Sequence, residues 1–223
     1  ATTNGQTLYN TAWLEANGEN VSTGKVFEGY FRVNLWDKES TKLPFAVGTY
    51  MGKKKVLGVG AGFFAQQNGT STASISKDSV GNITSRTYTT NNIAHVSADV
   101  FMELPTSSGA LNAYATVMAF NYGDDNYANL WGGTGTALYG QLGYYFKSAK
   151  VMPYVAAQYR SFKKYQNDNN DETGDGTSLN LGVNYFLNGH NAKLTLEYHN
   201  ITNRAVNGSS DVSQIRLQAH VFL

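Results

Sequence analysis

Strict apolar–polar alternation over stretches of about ten residues is the feature that most limits what this chain can become. It is clearest in the last segment, Ser213 to Leu223, where Ile215, Leu217, Ala219, Val221 and Leu223 fall on one side. Gln214, Arg216, Gln218, His220 and Phe222 fall on the other. Successive side chains of a strand point to opposite faces, so this pattern makes a strand with one apolar and one polar face. Ala192, Leu194, Leu196 and Tyr198 likewise oppose Lys193, Thr195, Glu197 and His199. Leu179, Leu181, Val183, Tyr185 and Leu187 oppose Ser178, Asn180, Gly182, Asn184 and Phe186. Asn188-Gly189 between these two runs is a tight-hairpin signal, because both residues tolerate positive φ.

The same reading gives about eleven strands, at 6–16, 24–36, 43–51, 55–66, 91–104, 110–122, 135–146, 151–163, 177–187, 192–202 and 212–223. Facing is ambiguous in 6–16 and 110–122; in the latter Leu111, Ala113, Ala115 and Val117 compete with Tyr114, Met118 and Phe120. Strands of soluble proteins average about 5–6 residues, whereas a tilted strand needs about 9–11 to cross a bilayer. Most of these segments meet the longer requirement. The connections alternate in length. Those at 52–54, 105–109, 147–150 and 188–191 are short, and those at 67–90, 123–134, 164–176 and 203–211 are long and polar. The 67–90 connection has room for a hairpin. Aromatics gather at strand ends, at Tyr144 to Phe146, Tyr185, Phe186 and Phe222, as interfacial girdles require. The expected fold class is all-β, an antiparallel transmembrane β-barrel in a single domain over residues 1–223.

Composition removes other classes. There is no cysteine, which argues against a disulfide scaffold and thiolate chemistry. The formal charge of +1 gives no reason to expect nucleic acid as a partner. The mean hydropathy of −0.36 resembles that of a soluble protein. A membrane barrel also averages a lipid face with a polar lumen, so this value does not separate the two. No stretch of about 18 consecutive apolar residues could form a spanning helix.

Two passages carry a family resemblance. One is the closing hairpin, Y-F-L-N-G-H-N-A-K-L-T-L-E at Tyr185 to Glu197 followed by S-Q-I-R-L-Q-A-H-V-F-L at Ser213 to Leu223. The other is K-V-L-G-V-G-A-G-F-F at Lys55 to Phe64. Together they resemble the carboxy-terminal part of phosphate-selective porins of the O and P type, in their Bacteroidetes-like form. The resemblance runs from about Thr23 onward. It implies a sixteen-stranded barrel with a constricting loop in the lumen. Strand parity points the same way: eleven strands ending in the periplasm would begin outside the cell, so about five upstream strands are expected. A twelve-stranded closed barrel with one strand missed is the alternative.

The expected function is an outer-membrane porin passing small hydrophilic solutes or ions with weak charge selectivity, and no enzyme. Its expected setting is the bacterial outer membrane, among lipid and lipopolysaccharide, with a homotrimer or an envelope complex as possible assemblies. The expected pore-lining residues are Glu28, Arg32, His95, Asp99, Glu103, Arg160, Lys193, Glu197, His199, Arg216, Gln218 and His220. Their four acidic and four basic members roughly cancel, and neither an arginine ladder nor a lysine-rich constriction is visible. Phosphate specificity is therefore not expected from these residues.

Three motifs bear on other chemistry. His95 and Ser97 share a strand face, as a base and nucleophile would, but on the polar side, whereas a lipid hydrolase needs them towards lipid. His199 and His220 share the polar face of neighbouring strands and invite a metal, but water-exposed lining is the plainer reading. The loop Asn167 to Gly176 holds Asp168, Asp171, Glu172 and Asp175 without the spacing of a calcium loop. No cofactor or metal is expected. A structural or assembly component of an outer-membrane complex is the alternative function.

Overall fold

The computed structural model describes residues 7–40, 47–123, 128–129, 132–162, 165–167, 170–172, 175–202 and 211–221. Fourteen strands and one helix follow the chain: β1 (Thr7–Asn10), α1 (Thr11–Ala16), β2 (Val26–Asn34), β3 (Val56–Lys77), β4 (Ile83–Pro105), β5 (Gly109–Asn121), β6 (Ala128–Asn129), β7 (Gly132–Gly133), β8 (Gly135–Phe146), β9 (Val151–Phe162), β10 (Tyr165–Asn167), β11 (Asn170–Glu172), β12 (Gly176–Asn188), β13 (Ala192–Thr202) and β14 (Val212–Val221). Ten of them form one antiparallel sheet in the order β1-β3-β4-β5-β8-β9-β12-β13-β14, with β2 also on β3. β1 and β2 lie end to end along the same edge of β3, opposite Thr70–Ala73 and Gly58–Gln66 respectively. β6 with β7 and β10 with β11 make two small ribbons. Among the described residues β14 pairs only with β13, so the sheet is not closed on itself.

The meander follows from the turns. Asn188-Gly189 closes β12 onto β13, with Gly189 at φ +55° and the Asn191 N–H donating to the Asn188 carbonyl at 2.9 Å. Lys150, at φ +55°, turns β8 into β9. These turns and the one between β4 and β5 define a short-turn end. At the opposite end β3 and β4 run on as a long ribbon.

That ribbon is the hairpin for which the 67–90 connection has room, and the connection is mostly paired strand where a long polar loop was the first reading. The run is rich in Ser and Thr, which suit a pleated surface, and it places Ser71 opposite Thr90, Thr72 opposite Thr89 and Ser74 opposite Thr87. Asn68, at φ +49°, marks the irregularity between Gln66 and Thr70 where the ribbon begins. At its tip the Asp78 carboxyl accepts the Asn82 side-chain amide and the Asn82 and Val80 N–H groups, which hold it below the ordinary carboxylate range.

Two expected strands are also corrected. Residues 6–16 are a short strand followed by a helix. Ala, Leu and Glu favour helix after Thr11, and Asn17-Gly18 ends it, with Gly18 at φ +82° and its N–H on the Glu15 carbonyl. Leu14 is buried, Thr11 meets the Ser71 hydroxyl at 2.8 Å, and the Glu15 carboxyl, lowered by the Thr23 N–H and hydroxyl, ties down the exit. In the expected strand 43–51, residues 43–46 lie outside the described residues, and 47–51 form no strand. Met51 and Gly52 both take positive φ there, which a strand does not allow. The eleven expected strands thus become nine positions across the sheet. Residues 124–127, 203–210 and 222–223 lie outside the described residues.

The sheet has two distinct faces. Register puts Val59, Val100, Ala115, Gly140, Ala157, Leu179 and their alternate neighbours on one side. This settles β5, with Leu111, Ala113, Ala115 and Val117 on that face. It is apolar and exposed from edge to edge. Phe31 is 72% exposed, Leu181 50%, Leu196 49%, Leu217 77% and Val221 65%. Small side chains at Ala115, Gly140 and Ala157 leave a shallow apolar depression of about 930 Å³ in it.

Candidate functional site: the polar face of the sheet

Antiparallel partners share a face, so the ladders extend a face from strand to strand. Glu28 stands opposite Phe64, which stands opposite His95; Tyr30, Gly62 and Ser97 form the next such row, Arg32, Gly60 and Asp99 the one after, and Val56 stands opposite Glu103. From β4 the face continues through Tyr114 and Thr116 to Gln141 and Tyr139, then to Gln158 and Arg160. It ends on Asn180, Gly182 and Asn184, then His199, Glu197 and Thr195, then Gln214, Arg216 and Gln218. All twelve expected lining residues therefore lie on one face, opposite the apolar one.

Their surroundings differ. Arg32 is bracketed by acids: its Nη2 is 2.6 Å from Glu39 Oε2 and its Nη1 is 3.9 Å from Asp99 Oδ1. Tyr30 donates to Asp99 at 2.8 Å, and Tyr154 donates to Glu197 at 2.6 Å. Glu197 faces Arg216 in the ladder, and Arg216 donates to Gln214 Oε1 through Nε and Nη2. Arg160 lies over the Phe162 ring, 5.8 Å from its centroid.

Glu103 shares the face but is fully buried. Residues 47–52, on the connection between β2 and β3, fold back over the polar face at the short-turn end and cover it. Glu103 accepts from the Thr49 hydroxyl at 2.8 Å, the Tyr50 N–H at 2.7 Å, the Gly52 N–H at 2.8 Å and the Asn112 amide at 3.2 Å. Asn112 also donates to the Gly48 carbonyl at 2.9 Å. Beyond Glu103, Met51 packs on a buried cluster of Ala110, Tyr145, Met152 and Phe186, drawn from β5, β8, β9 and β12. Tyr50 donates to Glu39 at 2.8 Å, and burial followed by that contact pushes its phenol up. An inward-folded segment thus occupies the face where open wall was expected at Glu103.

His95 lies among Phe64, Phe120 and Tyr122, and its Nδ1 accepts the Asn121 N–H at 3.3 Å. Ser97 is two residues along on the same polar face, so neither group is presented to the apolar side. His199 stands opposite Gln214, while His220 stands opposite Lys193. Six residues of strand, about 20 Å, separate the two imidazoles. Among the described residues no group of His, Cys, Asp or Glu could hold a metal. The side chains of Asp168, Asp171 and Glu172 lie outside the described ones.

Comparison with known proteins gives no match: no family model, curated protein or solved structure aligns with this chain. No described helix is long and apolar enough to cross a membrane.

Sequence reading placed Tyr30 on the polar side and left Tyr114 open, but missed the inward segment and two further tyrosines of the polar face, Tyr139 and Tyr154. Their signal was present. Tyr114, Tyr139 and Tyr154 each sit one position from the apolar set of their strand, where a polar group was expected to line water.

Proposed function

We propose that this chain forms the wall of an outer-membrane porin of the phosphate-selective O and P type, passing small hydrophilic solutes with weak charge preference. The observation that carries the reading is the pair of faces. A contiguous apolar surface spanning nine sheet positions has no stable place in water, where exposed patches rarely exceed a few hundred Å². Lipid on that face and water on the other satisfies both. Unpaired strand edges are not tolerated in hydrocarbon, which supports closure into a barrel by further strands. The sixteen-stranded barrel implied by the resemblance would supply them.

The inward-folded segment at the short-turn end narrows the periplasmic mouth, with Arg32, Asp99 and Glu39 at its margin. The same segment favours a second reading, a plugged barrel serving an envelope complex. A lipid hydrolase is the least supported, since His95 and Ser97 face away from lipid.

Charge selectivity tests the reading at the wall. Arg216 sits with Gln214, Gln218 and Glu197 on the polar face, and its field is screened within about 8 Å at physiological salt. Arg216→Glu is expected to move the reversal potential modestly towards cations at low salt and hardly at all at high salt. Strong phosphate selectivity in the wild type, or complete loss of current on this one change, would show that a dedicated binding site governs transport.

A further inference from the structure

The polar face holds a cavity of about 410 Å³ beside the inward segment, lined by Tyr30, Arg32, Asp99, Tyr114, Tyr139 and Gln141 and bounded by Val47 and Gly48. Its size falls within the range of small-molecule sites, roughly 300–1,000 Å³. We propose that it is a binding site for a neutral polyhydroxylated solute, a mono- or disaccharide, and that this is the solute class the channel favours. The inference rests on the porin reading for its role in transport, but not for the site itself.

Three observations carry it. First, two tyrosine rings from adjacent strands stand side by side, Tyr114 and Tyr139, with centroids 6.0 Å apart and planes at 52°. Their faces offer the flat apolar surface against which the C–H side of a sugar ring packs. The Tyr139 ring is held in place by its hydroxyl, which donates to Gln141 Oε1 at 2.8 Å, and Tyr30 on the same lining donates to Asp99 Oδ2 at 2.8 Å. Second, the cavity rim offers carboxylate and amide groups at Asp99 and Gln141. A sugar hydroxyl both donates and accepts, so it can pair with either group. Third, the charge is wrong for an anion. Arg32 is the cavity's one cationic lining residue, and two carboxylates lie within 4 Å of it, at Glu39 and Asp99. A phosphate entering here meets no unneutralised positive charge, whereas a neutral solute needs none.

The test separates the site from the channel. Maltose binding to the detergent-solubilised full-length protein is measured by saturation-transfer NMR, with inorganic phosphate as competitor, and single-channel current is recorded separately. Wild type is expected to bind maltose with Kd on the order of 1–10 mM. Tyr139→Ala should weaken binding about tenfold, while Tyr139→Phe, which keeps the ring, should stay within about threefold. If Tyr139→Ala does not assemble, Gln141→Ala serves, with a loss of about fivefold expected. Absence of maltose binding, equal binding by the ring-deleted variant, or displacement of maltose by phosphate would overturn the proposal. Current without maltose binding would sink this inference and leave the channel; maltose binding without current would do the reverse.

Discussion

Replacing Leu217 by arginine is expected to destabilise the folded, membrane-inserted protein by about 2–4 kcal/mol, while the same residue placed next door, in Gln218→Arg, is expected to be tolerated. Leu217 lies mid-strand on β14, opposite Leu196 on the apolar face, and is 77% exposed. An arginine on the lipid face near the bilayer midplane costs about 2–4 kcal/mol. Against a total stability of about 5–15 kcal/mol, that lowers the folded-to-unfolded ratio roughly 30- to 1,000-fold. Gln218 points the other way, towards Thr195 and the polar face, where a guanidinium stays hydrated. Urea titration of both variants refolded into lipid vesicles gives the comparison. Equal losses would mean that the face taken here as lipid-facing is not in lipid.

Glu103→Ala carries the second large effect. The carboxyl is fully buried and gathers four donors, three of them from residues 49–52. A buried hydrogen bond to a charged group contributes about 1.5–3 kcal/mol, and a donor left buried without its acceptor costs about 1–3 kcal/mol. The segment relieves that cost by leaving the polar face for water, opposed by the packing of Met51 on Tyr145, Met152 and Phe186 and by the Asn112 amide on the Gly48 carbonyl. The expected result is new protease cleavage within residues 47–52 and a channel current raised about twofold, as the short-turn mouth widens. Unchanged current with unchanged protection would mean that the segment does not narrow the path.

Much of this arrangement was legible in the sequence, for a physical reason. A period of two assigns every residue of a strand to a face, and a slip of one residue would reverse the whole set. Ile215, Leu217 and Val221 therefore found the apolar face, and Lys193, Glu197 and Arg216 the polar one, before any pairing was known. The facing of β5 was not legible alone, because Tyr114 and Met118 are as apolar as Leu111 and Val117. Pairing with Asp99 and Gln141 decides it. Alternation also hid what is not strand. Thr11 to Ala16 mixes polar and apolar residues, yet Asn17-Gly18 signals a helix end. The Ser and Thr of the β3–β4 ribbon read as loop, because both faces are polar and no apolar side marks the period. Glu103 shows the remaining gap. An acidic residue on a polar face has the same pattern whether water or a folded-back segment covers it. The residues that cover it come from the stretch 43–51, whose alternation reads as strand and carries no sign of a fold back over the face.

Single-channel recording in planar bilayers is the most direct test that the polar face lines a passage. The purified full-length protein should produce stepwise, long-lived, near-ohmic current increments whose size rises with bulk salt, and which Glu103→Ala enlarges. Folded protein that inserts into the bilayer and carries no current would contradict the account and leave the plugged barrel as the better reading.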